Sequence, residues 1–235
     1  MISLETGEGN IITKAYRVLQ KRFPELGGVS VRLNKRIPLG AGLGGGSSNA
    51  AFFLLGMKKL FRLKISRKEL FAMGKKLGAD VPFFLTGVRQ ALAWGIGDRL
   101  QKVPQGTRLG FLLLVTDQGL NTKNVYQKLV WSGRPLSLTK EKRIARILRS
   151  FLASKRVREA SEFTRNDLEI PAFRLMPAIP KAITVLKDLG APFVLMSGSG
   201  ATVFAAFSSR KEAFGLSKRL KEVPFPFRKV ICHSL

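Results

Sequence analysis

This sequence is poor in cysteine, histidine and acidic side chains. Cys232 is its only cysteine, so no disulfide can form within the chain. His233 is its only histidine, which excludes a metal site built from a Cys/His cluster. Both lie beside the C-terminus, where a structural role is the simpler reading. No apolar run is long and uninterrupted enough to span a bilayer, and Met1-Ile2-Ser3-Leu4-Glu5 lacks the basic-then-apolar order of a signal peptide. A cytoplasmic globular protein with no membrane partner is expected. A 45% hydrophobic content over 235 residues suffices for one large domain or two small ones.

Acidic residues are scarce too: 15 Asp and Glu stand against 41 Lys and Arg, a formal charge of +26. That balance raises the question of nucleic acid. The cations are scattered, however. Their one cluster, Lys140, Lys142, Arg143, Arg146, Arg149, Lys155, Arg156 and Arg158, falls on a single predicted helix that also carries Ile144, Ile147, Leu148, Phe151 and Leu152 at helical spacing. The cluster is most simply that helix's solvated face. With no aromatic-studded basic strand or helix-turn-helix pattern beside it, nucleic acid is not the expected partner. The charge would draw polyanionic substrates such as nucleotides without identifying any of them.

What the sequence concentrates is glycine. Pro38-Leu39-Gly40-Ala41-Gly42-Leu43-Gly44-Gly45-Gly46-Ser47-Ser48-Asn49-Ala50-Ala51 joins a strand-like run to a helix through a glycine-rich loop. Such a loop lets the backbone approach a ligand closely, and the helix after it points free N–H groups and its positive end at an anion. A phosphate cradle fits this pattern, as does a plain flexible turn. A Walker loop is excluded because no Lys follows the last glycine, and a dinucleotide fingerprint because neither the spacing nor a later ribose-binding acid fits.

The loop, read from Lys35-Arg36-Ile37-Pro38 to Ala51, resembles the second motif of the GHMP kinase superfamily, and within it the family acting on 4-diphosphocytidyl-2-C-methyl-D-erythritol. Two further segments extend the resemblance in the right order. Leu77-Gly78-Ala79-Asp80-Val81-Pro82-Phe83-Phe84 matches the segment that supplies that family's catalytic aspartate, and Met196-Ser197-Gly198-Ser199-Gly200-Ala201-Thr202 matches its third motif. Taken without the resemblance, Asp80 is a good helix cap ahead of Pro82, and Ser197–Gly200 is a hairpin turn. Asn166-Asp167-Leu168-Glu169 and Gly119 through Tyr126 are weaker matches. Asn166 and Asp167 serve equally as helix caps, and Tyr126 equally as core.

The resemblance runs from about Asn10 to about Phe207 and implies an α+β GHMP kinase fold: a ribosomal protein S5 domain 2-like N-terminal domain over residues 1–104 and a ferredoxin-like C-terminal domain over 105–235. It implies phosphorylation of the substrate's 2-hydroxyl by ATP with Mg²⁺. In that reading Asp80 accepts or orients the hydroxyl proton. Pro38, Gly40, Gly42, Leu43, Gly44, Gly45, Gly46, Ser47 and Ser48, with Gly198, Ser199 and Gly200, surround the phosphates, and Asn10 and Lys35 flank the adenosine. Thr122 and Tyr126 face the substrate, and Ser47 or Ser48 ligates Mg²⁺. A monomer or homodimer is expected. Two alternatives stand beside it: another small-molecule GHMP kinase acting on homoserine, mevalonate or a sugar, or a non-catalytic basic nucleotide- or nucleic-acid-binding remnant.

One departure matters. The family opens with a strand carrying a Pro-Ala-Lys-Ile/Leu-Asn segment, followed by a hairpin with a His, and nothing of that kind precedes Asn10. The family's Lys partner for Asp80 is therefore missing. Either Met1 is an internal start within a longer gene product or the chain is a degenerate remnant. The first is favoured because the other motifs are intact.

Periodicity and turn signals predict these elements: a helix capped by Asn10 with Ile11, Ala15, Val18, Leu19 and Phe23 inward; a strand at Val29–Leu33; a wholly buried helix from Ser47 or Ser48; and a helix from the Ser66/Glu69 capping box to Gly78. A short helix at Val81 follows, then a strand at 90–94, a Gly95-Ile96-Gly97-Asp98 turn and a strand at 110–115. The second half then reads helix 122–130, the basic helix, helix 171–189, strands 193–196 and 201–207, helix 212–220 and strand 225–232.

Overall fold

A computed structural model describes residues 7–97, 99–103, 108–130 and 138–234. The turn residue Asp98 and the expected start of the second half at Gln105 lie outside the described residues. The described residues of 1–35 and 44–105 form one compact unit, and those of 36–43 and 106–235 form a second.

The first unit is helical, with one hairpin. Helix α1 (Ile11–Arg22) starts where the Asn10 side chain accepts a hydrogen bond from Ile12 N–H. It buries Ala15 and Leu19 against α2 (Gly45–Leu60), which contributes Ala50, Ala51, Leu54 and Met57. Helix α3 (Arg67–Leu77) has the expected capping box, Ser66 and Glu69 satisfying each other's backbone N–H groups, and stops at Gly78. Helix α4 (Val81–Leu85) adds Val81 and Leu85 to the same core. Strands β1 (Ala91–Trp94) and β2 (Arg99–Lys102) pair antiparallel, the second of them unforeseen from its mostly polar sequence.

Two expectations in this unit need correction. Val29–Leu33 forms no strand, because among the described residues no partner completes a ladder with it, and Val31 is exposed. Helix α2 begins two to three residues before Ser47 or Ser48, with Gly44 as N-cap, and is amphipathic rather than buried all round: Phe52 and Leu60 are 64% and 69% exposed.

The second unit is a four-stranded antiparallel sheet, β3 (Gly110–Val115), β4 (Phe193–Met196), β5 (Val203–Phe207) and β6 (Arg228–His233), in spatial order β4-β5-β3-β6. With helices between β3 and β4 and between β5 and β6, this is the βαββαβ ferredoxin-like arrangement. Strand alternation divides the sheet into two faces. Leu112, Leu114, Met196, Val203, Ala205 and Phe207 meet Ile179, Ala182 and Leu186 of α9 (Ala178–Asp188) and Ala213 and Leu216 of α10 (Arg210–Arg219). Phe111, Phe193, Leu195, Phe204 and Ala206 form a smaller cluster with Val157 of α7 (Val157–Glu162). Cys232 is half-buried on β6, and burial pushes its thiol up from the ordinary range, the opposite of an activated nucleophile.

Helix boundaries differ where backbone chemistry overrides periodicity. The expected basic helix is two: α6 (Leu138–Ala153) ends at left-handed Lys155, φ +59°, with Arg156 N–H bonded back to Phe151 O, and α7 follows. Its cations from Lys142 to Arg158 are exposed, as their reading as a solvated face requires. The expected 171–189 helix is also two, α8 (Glu169–Leu175) and α9, because Pro177 drives Met176 out of the helical region. Helix α5 (Thr122–Gln127) is three residues shorter than expected. Strand β5 starts two residues later than expected, at Val203, and β6 three later, at Arg228.

Candidate active site

The glycine loop divides between the two units after Leu43. Its first half is fastened inside the second unit. Gly40 O accepts from Leu120 N–H and Ala201 N–H at 3.1 and 3.2 Å, Ala41 O from Thr202 N–H at 3.2 Å, and Gly42 O from the Ser197 hydroxyl at 2.9 Å. The third-motif turn therefore packs directly on Gly40–Gly42. Gly42 holds φ +70°, and a Cβ there would run into Ser197 O and stand 2.8 Å from Gly200 O, so only glycine fits. Pro38 is buried and Leu43 half-buried in the same segment.

The turn has its own supports. Between β4 and β5, Ser197 N–H donates to Thr202 O at 2.9 Å and Gly200 N–H to Ser197 O at 2.9 Å. Gly198 and Gly200 lie in the left-handed region, at φ +55° and +87°. Among the described residues the N–H groups of Gly198 and Ser199 find no acceptor. Successive free N–H groups around a left-handed residue make an anion-binding nest. Ser199 is buried, and its hydroxyl shares a 2.9 Å hydrogen bond with that of Thr122, the first residue of α5. A nucleotide-side and a substrate-side candidate thus touch. Tyr126, one turn further along α5, is 57% exposed, which removes its reading as core.

Asn166 and Glu169, which sequence reasoning held only as part of a weak family match with Asn166 and Asp167 as possible caps, bond to the third-motif turn and the end of β4. Asn166 Nδ2 donates to Met196 O at 2.9 Å and Gly198 O at 2.7 Å, while its Oδ1 accepts from Leu168 N–H at 3.0 Å. Glu169 Oε1 accepts from Met196 N–H at 2.9 Å. Gly119 and Leu120, quoted only as part of a weak match, pack on Leu39 and Gly40.

The loop's second half belongs to the first unit. Gly44, at φ +65°, caps α2 without any side-chain hydrogen bond, and a Cβ on it would meet the Phe84 ring at 2.9 Å. The first-turn N–H groups of Gly45, Gly46 and Ser47 are the ones an α-helix leaves unpaired, and no acidic residue offsets them. The Ser48 hydroxyl donates to Gly45 O at 3.0 Å, leaving its lone pairs free, and Ser47 Oγ lies 4.0 Å from where a Cβ on Gly78 would stand. Either oxygen suits one hydroxyl ligand of Mg²⁺. That ion typically keeps waters and takes its remaining oxygens from phosphates, and no group of three His, Cys, Asp or Glu residues converges among the described residues to hold it otherwise.

Asp80 follows Gly78 and Ala79 at the mouth of α4. It occupies the N-cap position, but with helical φ and ψ of −85° and −14°, and its side chain makes no capping bond. The capping alternative is thereby corrected. Its exposed carboxylate has Oδ1 3.8 Å from the position of a Cβ on Gly97, in the β1–β2 turn. Among the described residues no Lys or Arg pairs with it. Asn10 spends its side-chain oxygen on the α1 cap, and Lys35 is half-buried, its amine held below the usual lysine range by desolvation.

Two compact units of this topology, a glycine loop opening a helix, a second glycine turn and a carboxylate at the mouth of α4 define a small-molecule kinase class. The "GHMP kinases N terminal domain" model matches residues 10–88 and the "GHMP kinases C terminal" model residues 141–224. The chain belongs to the GHMP kinase family. It is 40% identical to a 4-diphosphocytidyl-2-C-methyl-D-erythritol kinase of Syntrophus aciditrophicus over 89% of its own length and 72% of that protein's. It is 37% identical to the enzyme of the same name from Carboxydothermus hydrogenoformans, over 87% and 69%. A crystal structure of 4-(cytidine 5'-diphospho)-2C-methyl-D-erythritol kinase superposes with TM-score 0.77 at 32% identity, covering 98% of this chain and 80% of that one. Homoserine kinase from Cytophaga hutchinsonii, at TM-score 0.74 and 19% identity over 97% and 76%, shares the fold. Among the described residues no helix is long and apolar enough to cross a membrane.

Proposed function

We propose that the chain transfers the γ-phosphoryl group of ATP to the 2-hydroxyl of 4-diphosphocytidyl-2-C-methyl-D-erythritol, a step in non-mevalonate isoprenoid precursor synthesis. The observation that carries this reading is Asp80: an exposed carboxylate at the start of α4 that leaves the helix uncapped, two residues on from Gly78, where a Cβ would stand 4.0 Å from Ser47 Oγ. The names of the relatives give the substrate, and the fold shared with homoserine kinase leaves the choice of alcohol to residues such as Thr122 and Tyr126.

Each part of the site has a task in such a transfer. The free N–H groups at the head of α2 suit phosphate oxygens, and so, in the second unit, do those of the Gly198–Ser199 turn; backbone donors of this kind stabilise charge as it spreads over a transferring phosphoryl group. Mg²⁺, held by the nucleotide and by Ser47 or Ser48, would offset phosphate charge. Asp80 accepts, or orients, the proton of the attacking hydroxyl. Positioning and charge do most of the work in phosphoryl transfer, which suits a site made mainly of backbone.

The test is ADP release with Mg-ATP and 4-diphosphocytidyl-2-C-methyl-D-erythritol, run beside homoserine and mevalonate. Turnover with the first alcohol alone is expected. Nucleotide binding with no turnover on any alcohol would favour the non-catalytic reading, for which the unpaired Asp80 is the specific observation.

A further inference from the structure

Strand β4 is an edge strand, and its last residue sits at the start of the third-motif turn. Because Ser197 N–H donates to Thr202 O across the end of the ladder, the neighbouring pair, Met196 and Val203, does not bond across it, and Met196 turns both its N–H and its C=O away from β5. Met196 is only 1% exposed, so neither group has ready access to water. A further strand would ordinarily satisfy them. Here two side chains from the stretch that opens α8 do so: Glu169 Oε1 takes the N–H, and Asn166 Nδ2 takes the C=O and, with its second hydrogen, Gly198 O. Only one orientation of the Asn166 amide satisfies all three of its contacts, since its oxygen must face Leu168 N–H.

We propose that Asn166 and Glu169 are positioning residues for the nucleotide, holding the turn in the shape that presents Gly198 and Ser199 N–H to phosphate and keeps Ser197, Ala201 and Thr202 bonded to Gly40–Gly42. The proposal rests on the phosphoryl-transfer reading and adds two residues to its site. Neither residue touches the nucleotide. Each acts through the backbone it grips.

The experiment measures binding of Mg²⁺ with a non-hydrolysable ATP analogue by calorimetry, well below each variant's melting temperature, together with the KM for the alcohol. Asn166→Ala raises the dissociation constant for the analogue roughly 10-fold to 100-fold, the scale of one or two buried backbone groups left unmade, with the alcohol KM changing far less. Asn166→Asp keeps the acceptor for Leu168 but loses both donors and sets a charge against two carbonyls, so it binds no better than Asn166→Ala. Glu169→Gln retains an acceptor for Met196 N–H and recovers most of what Glu169→Ala loses. A role confined to stability would lower melting temperatures while leaving the analogue's dissociation constant alone, and that result overturns the proposal. So does a Glu169→Gln as weak as Glu169→Ala. A wild-type chain that binds no nucleotide overturns the functional reading itself and this inference with it, whereas wild-type binding matched by Asn166→Ala overturns the inference alone.

Discussion

Gly42→Ala is the most informative single change, because the structure fixes what the added methyl meets. At φ +70° a residue with a side chain carries a left-handed penalty of about 1–2 kcal/mol. Its Cβ also collides with Ser197 O and approaches Gly200 O at 2.8 Å, both backbone atoms of a turn held from behind by Asn166 and Glu169. The turn therefore cannot yield cheaply. Separation of the two segments breaks the Ser197 hydroxyl bond to Gly42 O and strains those from Thr202 N–H to Ala41 O and Ala201 N–H to Gly40 O. At roughly 0.5–1.5 kcal/mol each these bonds add about 2–4 kcal/mol, for a total near 3–6 kcal/mol. Felt globally, that lowers the melting temperature by about 2–4 °C per kcal/mol for a chain of this size. If the loop instead springs open locally, the loss appears as a rise in the ATP KM of more than about 100-fold, since every 1.4 kcal/mol is tenfold. Thermal melts with and without Mg-ATP, paired with initial rates over an ATP series, separate the two routes. A Gly42→Ala protein that melts within about 2 °C of wild type and keeps its ATP KM refutes the close approach on which the site is built.

Three further changes test other parts of the chain. Asp80→Asn should cut kcat by about 10²–10⁴-fold, the usual share of a positioned acid or base, with ATP binding and melting temperature preserved because the carboxylate caps nothing; a fall in stability would restore the capping role. Gly46→Ala and Gly56→Ala both add a methyl into open space on α2, so each should stabilise the free protein by about 0.5–1 kcal/mol. Only Gly46→Ala, in the first turn, should weaken ATP binding, and equal ATP KM values for the two would move the phosphate site elsewhere. Ser66→Ala removes the α3 cap and should cost about 1 kcal/mol in thermal melts. Glu69 is held below its ordinary value of 4.5 by the backbone and side-chain hydrogen bonds of Ser66 and by Arg22. A carboxylate depressed in this way stabilises the fold above pH 4.5 and loses that contribution as pH falls through its folded value. Glu69→Gln should therefore melt lower than wild type at neutral pH and converge with it in acid, and a gap that persists in acid would count against the capping box.

Local chemistry was legible in the sequence, and non-local chemistry was not. Asn10, the Ser66/Glu69 box, Gly78 and Pro82 each act on residues within four positions of themselves, and the helices they bound stand where expected. Glycine spacing marked both loops of the candidate site because a left-handed backbone favours glycine at the position that adopts it. Burial was harder to read. An apolar helix such as α2 gives no sign of which face a neighbour leaves open, so Phe52 and Leu60 fell on the wrong side. Val29–Leu33 has the alternation of a strand, but pairing depends on a second segment that local pattern does not name. Asn166 shows the limit most clearly. Its cap-like setting is real, since Oδ1 does accept from Leu168 N–H, and that local bond hides two others made 30 and 32 residues away, to Met196 O and Gly198 O. Those bonds are required because β4 lies at the sheet's edge, and strand order is a property of the folded sheet that no window of sequence around Asn166 contains.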